Sequence, residues 1–315
     1  MKDSFGRDIY YLRMSVTDRC NLRCVYCMPE NCEENMSEKE ILSVDEIAQI
    51  VSCAAACGIT KVRLTGGEPL VRKDILEICR RVSDTPGICE LCLTTNGILL
   101  PQFIDKLQDA GVTRLNISLD SLDPVTYKKI TRTGTLDAAL RGIYAALEAG
   151  FLAVKINAVL MGGVNDNEIR ELLELTRKFN ANVRFIEMMP IGETADWAET
   201  RFVSVSRVLE LAPELKEIGS EGVAQLYMLP NGIGTVGLIS PISSHFCPTC
   251  NRIRVASDGK LKPCLHSSDE IDLRGLLGKA LEDTIKRAIF EKPRKHTLDD
   301  GEISHSLKNM NQIGG

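Results

Sequence analysis

The feature that most constrains the fold is an alternation of short β-like runs with helical runs, sustained from about residue 10 to residue 190. Candidate strands fall at residues 10–16, 61–65, 90–95, 113–119, 152–160 and 182–188. The helices between them are well punctuated. Ser43-Val44-Asp45-Glu46 is a capping box, and Gly58 closes the helix it opens. Pro101 opens another, with Gly111 past its end. Leu136, Leu140, Ile143 and Leu147 make one apolar face that stops at Gly150, and Ile169, Leu172 and Leu173 mark one more. Such alternation implies a parallel sheet with helices outside it. A full eight-unit barrel takes about 250 residues, so six units need about 190. The expected fold is therefore α/β, an incomplete (β/α)6 barrel over residues 1–190, with an open doubly wound sheet as the alternative.

The strands themselves bear on that choice. Polar residues alternate with apolar ones at Arg13, Ser15 and Thr17, at Arg63 and Thr65, at Asn116, Ser118 and Asp120, and at Lys155 and Asn157. Successive side chains point to opposite faces, so one face carries the polar set. A strand covered by helices on both sides should be apolar nearly throughout. A curled sheet with a polar concave side is a ligand cavity. If Arg63, Ser118 and Lys155 were dispersed over the outer surface, that cavity would not exist.

Composition narrows the class. The 315 residues are 44% hydrophobic and 26% charged, as in an ordinary globular protein. A net charge of −5 argues against a general nucleic-acid binder. No apolar run reaches membrane-spanning length, and residues 1–8 lack a signal-peptide core, so a cytoplasmic protein is expected. In a reducing compartment, the clustered members of the twelve cysteines read as metal ligands or catalytic groups. Residues 191–315 have fewer regular helices and are expected to form an α+β extension. Within them Gly232-Ile233-Gly234-Thr235-Val236-Gly237 matches a dinucleotide-binding string, but Pro241 follows where a helix is required, so a hairpin turn is expected. The cationic stretch 286–296 reads as a solvated helix face with its exit loop.

Cys20, Cys24 and Cys27 form C-x3-C-x2-C at the end of the first strand. Spacing alone allows a four-iron cluster with one open iron, a closed cluster that adds Cys32, or zinc. Cys247, Cys250 and Cys264 form a second triad, for which a zinc site completed by His245 or His266 is equally open. Arg252 and Arg254 follow Cys250, on one side of a strand. Together with Arg13, Arg63, Lys155 and Arg184 they favour an anionic ligand such as a triphosphate, since arginine binds phosphate through paired donors.

Cys20-Asn21-Leu22-Arg23-Cys24-Val25-Tyr26-Cys27 and Thr65-Gly66-Gly67-Glu68-Pro69 resemble the signatures of radical S-adenosylmethionine enzymes. A narrower resemblance, to the GTP 3′,8-cyclases of molybdenum-cofactor biosynthesis, spans essentially the whole chain. It rests on Phe5-Gly6-Arg7, residues 12–20, residues 63–69, Thr94-Thr95-Asn96-Gly97, residues 116–120, residues 185–192, residues 246–264 and the terminal Gly314-Gly315. Leu22 stands where an aromatic is common, and Cys32 and His266 are extras.

The resemblance implies two [4Fe–4S] clusters, on Cys20, Cys24 and Cys27 and on Cys247, Cys250 and Cys264, with S-adenosylmethionine against Tyr26, Gly67, Ser118 and Met189. It implies GTP against Arg13, Arg63, Thr94, Lys155, Arg184, Arg252, Ile253 and Arg254, and catalytic roles for Arg252, Arg254, Gly314 and Gly315. The implied reaction takes hydrogen from C3′ of GTP by a 5′-deoxyadenosyl radical and joins C3′ to C8. The product is (8S)-3′,8-cyclo-7,8-dihydroguanosine 5′-triphosphate. A flavodoxin- or ferredoxin-like reductant and a downstream pterin synthase are implied as well, and a homodimer is compatible with the family. Two rivals remain: a radical enzyme that modifies peptides with an auxiliary cluster, and an iron–sulfur or zinc-binding regulator.

Overall fold

In the computed structural model, residues 1–30, 36–296, 298, 304, 306 and 308–314 are described; Cys32 and Gly315 lie outside them. Six strands lie side by side in parallel: β1 (Tyr11–Ser15), β2 (Lys61–Thr65), β3 (Glu90–Thr95), β4 (Arg114–Ser118), β5 (Ala153–Leu160) and β6 (Asn182–Glu187). Each falls within two residues of its expected bounds at either end. Between them run α1 (Val44–Ala56), α2 (Ile75–Ser83), α3 (Ile104–Asp109), α4 (Pro124–Thr131), α5 (Leu136–Glu148) and α6 (Ile169–Lys178).

The capping box of α1 is formed: Ser43 Oγ accepts from the Glu46 N–H, and the Ser43 N–H donates to Glu46 Oε2. Helices α2 and α4 were not among those marked in the sequence. α2 begins at Asp74 without a side-chain cap, so it carries no start signal. α4 does carry one, with Asp123 accepting from the Thr126 N–H and Pro124 at its first position.

Residues beyond 190 extend the same sheet. They supply β7 (Lys216–Glu221), β8 (Ala224–Met228), β9 (Thr235–Ile239), β10 (Arg252–Val255), β11 (Lys260–Lys262) and β12 (Ile271–Asp272). Strand β9 joins β6 and β10 joins β1, both in parallel. The order is β12-β11-β10-β1-β2-β3-β4-β5-β6-β9-β8-β7, and its two ends do not pair, so the barrel is open. The glycine-rich string lies in the antiparallel β8–β9 hairpin, where the Gly232 N–H donates to the Leu229 carbonyl.

The core lies on one face. Leu12, Met14, Leu64, Leu93, Leu115, Ile117, Ile156 and Phe185 are fully buried with the apolar faces of the helices in one contiguous cluster. Each such side chain contributes about 1.5–3 kcal/mol. Their neighbours in sequence, Arg13, Arg63, Thr94, Asn116, Lys155 and Arg184, all line a single cavity on the other face. A doubly wound sheet would bury that second face under helices; this one leaves it for a ligand. Among the described residues, no helix is long and apolar enough to cross a membrane.

Candidate active site between two cysteine triads

The cavity measures about 420 Å³. Cys20, Cys24 and Cys27 lie on the loop after β1, beyond the carboxyl ends of the parallel strands. Cys247 and Cys250 lie on the short turn before β10, and Cys264 follows β11, which runs antiparallel to β10. The second triad therefore sits at the opposite end of the sheet from the first. All six cysteines line the one cavity, and none is joined in a disulfide.

Backbone contacts hold the first loop. The Gly67 N–H donates to the Thr17 carbonyl at 2.8 Å and the Glu68 N–H to the Arg19 carbonyl at 2.8 Å. A Cβ at Gly67 would drive into the Arg19 carbonyl. The glycines after β2 thus admit the cysteine loop itself at close quarters, while Gly66 and Gly67 also line the cavity. Glu68 is buried and accepts from the Leu70 N–H, the Thr95 hydroxyl and the Asn96 N–H. Burial outweighs these donors and pushes its carboxyl up to about 7. The Asn96 it positions points its amide at Cys20 Sγ, 3.9 Å away.

On the far side of the loop, the Arg132 guanidinium donates to the carbonyls of Arg23 and Met28. The Tyr26 hydroxyl donates to Asp120 at 2.8 Å, and Asp120 also accepts from the Val159 N–H. Burial raises the Asp120 carboxyl to about 6. Burial raises the thiol of Cys20 to about 11 and that of Cys24 further. A bound cation would offset that cost, because thiolate, not thiol, is the ligand form.

Arginines surround the second triad. Register pairs Tyr11 with Arg252, and Arg13 with both Arg254 and Arg63. Burial, with Arg13 and Arg252 close by, drives the Arg254 guanidinium well below its usual range. Burial likewise lowers Lys155 to about 8, and Arg184 adds to it. Such crowding of cations is unfavourable, and the Glu221 carboxylate offsets it in part at Lys155 and Arg184. Phe246 carries Arg252 on its ring, 5.0 Å from the centroid. At Cys250, burial opposes the thiolate, but Lys292 and Arg252 outweigh it and bring the thiol down to about 7.

The exit loop after helix Gly278–Phe290 is only partly solvated: Glu291, Arg294 and Lys295 are exposed as expected, but Lys292 and His296 are buried. Lys292 is 3% exposed, donates to the Pro263 carbonyl and lines the cavity. Arg7 explains why the backbone around Lys292 is held inward. Its guanidinium donates to the carbonyls of Cys247 (2.9 Å), Arg294 (3.0 Å) and Pro293 (2.7 Å), and to Asp3. Phe5-Gly6-Arg7 thus pins the segment of Cys247 to that of Lys292.

Of the other expected site residues, Tyr26, Ser118, Met189 and Thr94 line the cavity. Gly314 accepts from Arg254 Nη1 at 2.6 Å, with a φ of +73° and no room for a Cβ beside Thr65. Ile253 is different. Alternation turns its side chain into the core, 1% exposed, which leaves only its backbone toward a ligand. His266 lines the cavity near Cys264, and burial lowers its imidazole to about 3, so it is neutral. Cys32 and Gly315 fall outside the described residues. Sequence reasoning gave no site role to Arg7, Asp120, Glu221 or Lys292: Arg7 and Asp120 lie within motifs, with Asp120 on the expected polar face, Lys292 lies in the stretch expected to be solvated, and Glu221 carries no local signal.

A resident group fits this cavity. Among the described residues, Thr94 Oγ1, Asn116 Oδ1 and Asn157 Oδ1 are buried without a hydrogen-bond partner, and all three residues line it. No three described His, Cys, Asp or Glu side chains converge tightly enough to hold a single metal ion.

Residues 14–176 match the family model of the radical SAM superfamily, and residues 181–298 that of Molybdenum Cofactor Synthesis C. GTP 3′,8-cyclase of Alkaliphilus oremlandii is 48% identical and that of Alkaliphilus metalliredigens 49%, each over 322 residues and the whole of both chains. The chain belongs to the GTP 3′,8-cyclase family. The family extends beyond that genus: the Moorella thermoacetica GTP 3′,8-cyclase is 44% identical, again over the full length of both chains. Streptococcus suis SuiB, solved with S-adenosylmethionine bound, shares the fold at a TM-score of 0.64 and 16% identity, covering 89% of this chain and 68% of that one.

Proposed function

We propose that this chain converts GTP to (8S)-3′,8-cyclo-7,8-dihydroguanosine 5′-triphosphate, the first step of molybdopterin biosynthesis. The observation that carries the reading is one cavity closed by a cysteine triad at each end, with Arg13, Arg63, Lys155, Arg184, Arg252 and Arg254 facing it. S-adenosylmethionine on an iron–sulfur cluster, once reduced, supplies a carbon radical that takes hydrogen from C3′ of the nucleotide. Cys20, Cys24 and Cys27 hold that cluster, and Tyr26, Gly67, Ser118 and Met189 surround the cofactor. Cys247, Cys250 and Cys264 hold a second cluster near the purine.

The six cations bind and orient the triphosphate, with guanidinium pairs matching phosphate oxygens. Thr94 adds a hydroxyl, and Ile253 contributes backbone alone. Gly314, held by the Arg254 guanidinium, helps exclude water from the reacting atoms. The reading calls for a flavodoxin- or ferredoxin-like reductant, a pterin synthase downstream and a cytoplasmic setting.

The test is anaerobic turnover with GTP deuterated at C3′. Deuterium should appear in 5′-deoxyadenosine. Unlabelled 5′-deoxyadenosine would keep the radical chemistry and remove C3′ of GTP as its target.

A further inference from the structure

The β7–β8 hairpin places one acid against the cations proposed to bind phosphate. Glu221 ends β7, and Gly222 turns the chain with a φ of +63°. The Glu221 carboxylate meets Lys155 Nζ at 2.5 Å and Arg184 Nη2 at 2.6 Å. Both cations are nearly buried, with side-chain exposures of 6% and 11%, whereas that of Glu221 is 42%. Two acids line the cavity among the described residues, and Asp120 is already engaged by Tyr26 and Val159. Glu221 alone competes for the cations.

Its support is weak by construction. Strand β7 is a sheet edge, exposed along most of its length, bonded to β8 only, and absent from the hydrophobic core. Moving it costs little packing. Lys155 and Glu221 also line a second cavity of about 550 Å³ under β4–β6, so the pair forms the partition between the two spaces. Withdrawing Glu221 would join them and expose two cations at the junction.

We propose that Glu221 is an internal stand-in for the terminal phosphate of the nucleotide, and that an oligophosphate binds by displacing it and moving the end of β7 outward while β8 stays paired with β9. A carboxylate and a phosphate oxygen pair offer the same acceptors to Lys155 and Arg184, so they cannot both occupy them. Glu221 then sets an affinity threshold: only a ligand whose phosphates reach Lys155 and Arg184 recovers what displacement costs. This rests on the phosphate-binding part of the function proposed above.

The probe is inorganic tripolyphosphate, titrated calorimetrically into the anaerobically reconstituted protein. Glu221→Gln should bind it roughly fivefold more tightly than the wild type, the scale expected for partly exposed ion pairs. Glu217→Gln, on the same strand and outside both cavities, should bind it as the wild type does. Equal or weaker binding by E221Q, or an equal gain in E217Q, overturns the proposal. In the wild type, hydrogen exchange at residues 220–224 should quicken on adding tripolyphosphate; unchanged or slower exchange also overturns it. Should tripolyphosphate behave as expected while GTP neither displaces it nor turns over, the exchange stands and GTP as substrate falls.

Discussion

The two triads line one cavity but are built in different ways. The first sits on a loop clamped from within the parallel sheet: Gly67 and Glu68 after β2 grip its backbone, Asn96 after β3 reaches Cys20 from its bond to Glu68, and Arg132 closes the far side. These partners come from the residues that form the six βα units, and Asn311 adds a bond to the Asp18 carbonyl. The second is assembled from distant pieces. Arg7, near the amino terminus, binds the carbonyls of Cys247 and of residues 293 and 294, and Lys292 bonds the residue before Cys264. The cations at the first triad, Arg23 and Arg132, are spent on carbonyls of its own loop, whereas Arg13, Arg252, Arg254 and Lys292 near the second line the cavity. One end suits a uniform chemistry shared across a superfamily, and the other suits a particular anionic ligand.

If the ends have separate roles, cysteine substitutions should separate them. Cys24→Ala should reduce 5′-deoxyadenosine formation to background while keeping about half of the iron, as two four-iron clusters require. Cys250→Ala should keep reductive cleavage of S-adenosylmethionine and lose cyclisation of GTP. Loss of both activities in both variants would erase the distinction.

Removing one guanidinium asks less of the protein. Arg13→Ala or Arg252→Ala should weaken GTP binding about 10- to 100-fold, the scale of a charged hydrogen bond in a dry site, without altering affinity for S-adenosylmethionine. Isothermal titration of both ligands checks this.

Arg7→Met should leave Asp3, whose side chain is fully buried, without its cation, at a cost of about 3 kcal/mol. Denaturant unfolding would measure it. The iron lost should be that of the second triad, leaving the first cluster's spectrum intact.

The smallest expected effect is a pH dependence. Lys155 titrates near 8 in the free cavity, lowered by burial and by Arg184, and a bound phosphate raises it again. Binding then takes up a proton above pH 8, so affinity should fall as pH rises through that value. Constant affinity between pH 7 and 9 would show that Lys155 does not touch the anion.

The same contrast governs what could be read from the sequence. The strands, the α1 capping box and the polar alternation were local signals, and local periodicity places Arg13, Arg63, Asn116 and Lys155 on one face without knowledge of the tertiary fold. Of the first triad's supports, Glu68 and Asn96 lie in short motifs that stand out in the sequence, whereas Arg132 lies in none. Lys292 was misread as solvated, since nothing nearby announces that Arg7 will hold its backbone inward from 285 residues away. Glu221 was missed for the same reason: its partners are on β5 and β6, and it looks like any acid on an edge strand. Ile253 shows the converse. The motif drew it into the site, while the period-2 rule already assigned its side chain to the core.

Electron paramagnetic resonance of the reduced, reconstituted protein, with S-adenosylmethionine and GTP added in turn, tests the separation of the two ends most directly. Two cluster signals are expected, with S-adenosylmethionine shifting the one lost in Cys24→Ala and GTP shifting the one lost in Cys250→Ala. Both ligands perturbing the same signal, or a single cluster in the intact protein, would contradict it.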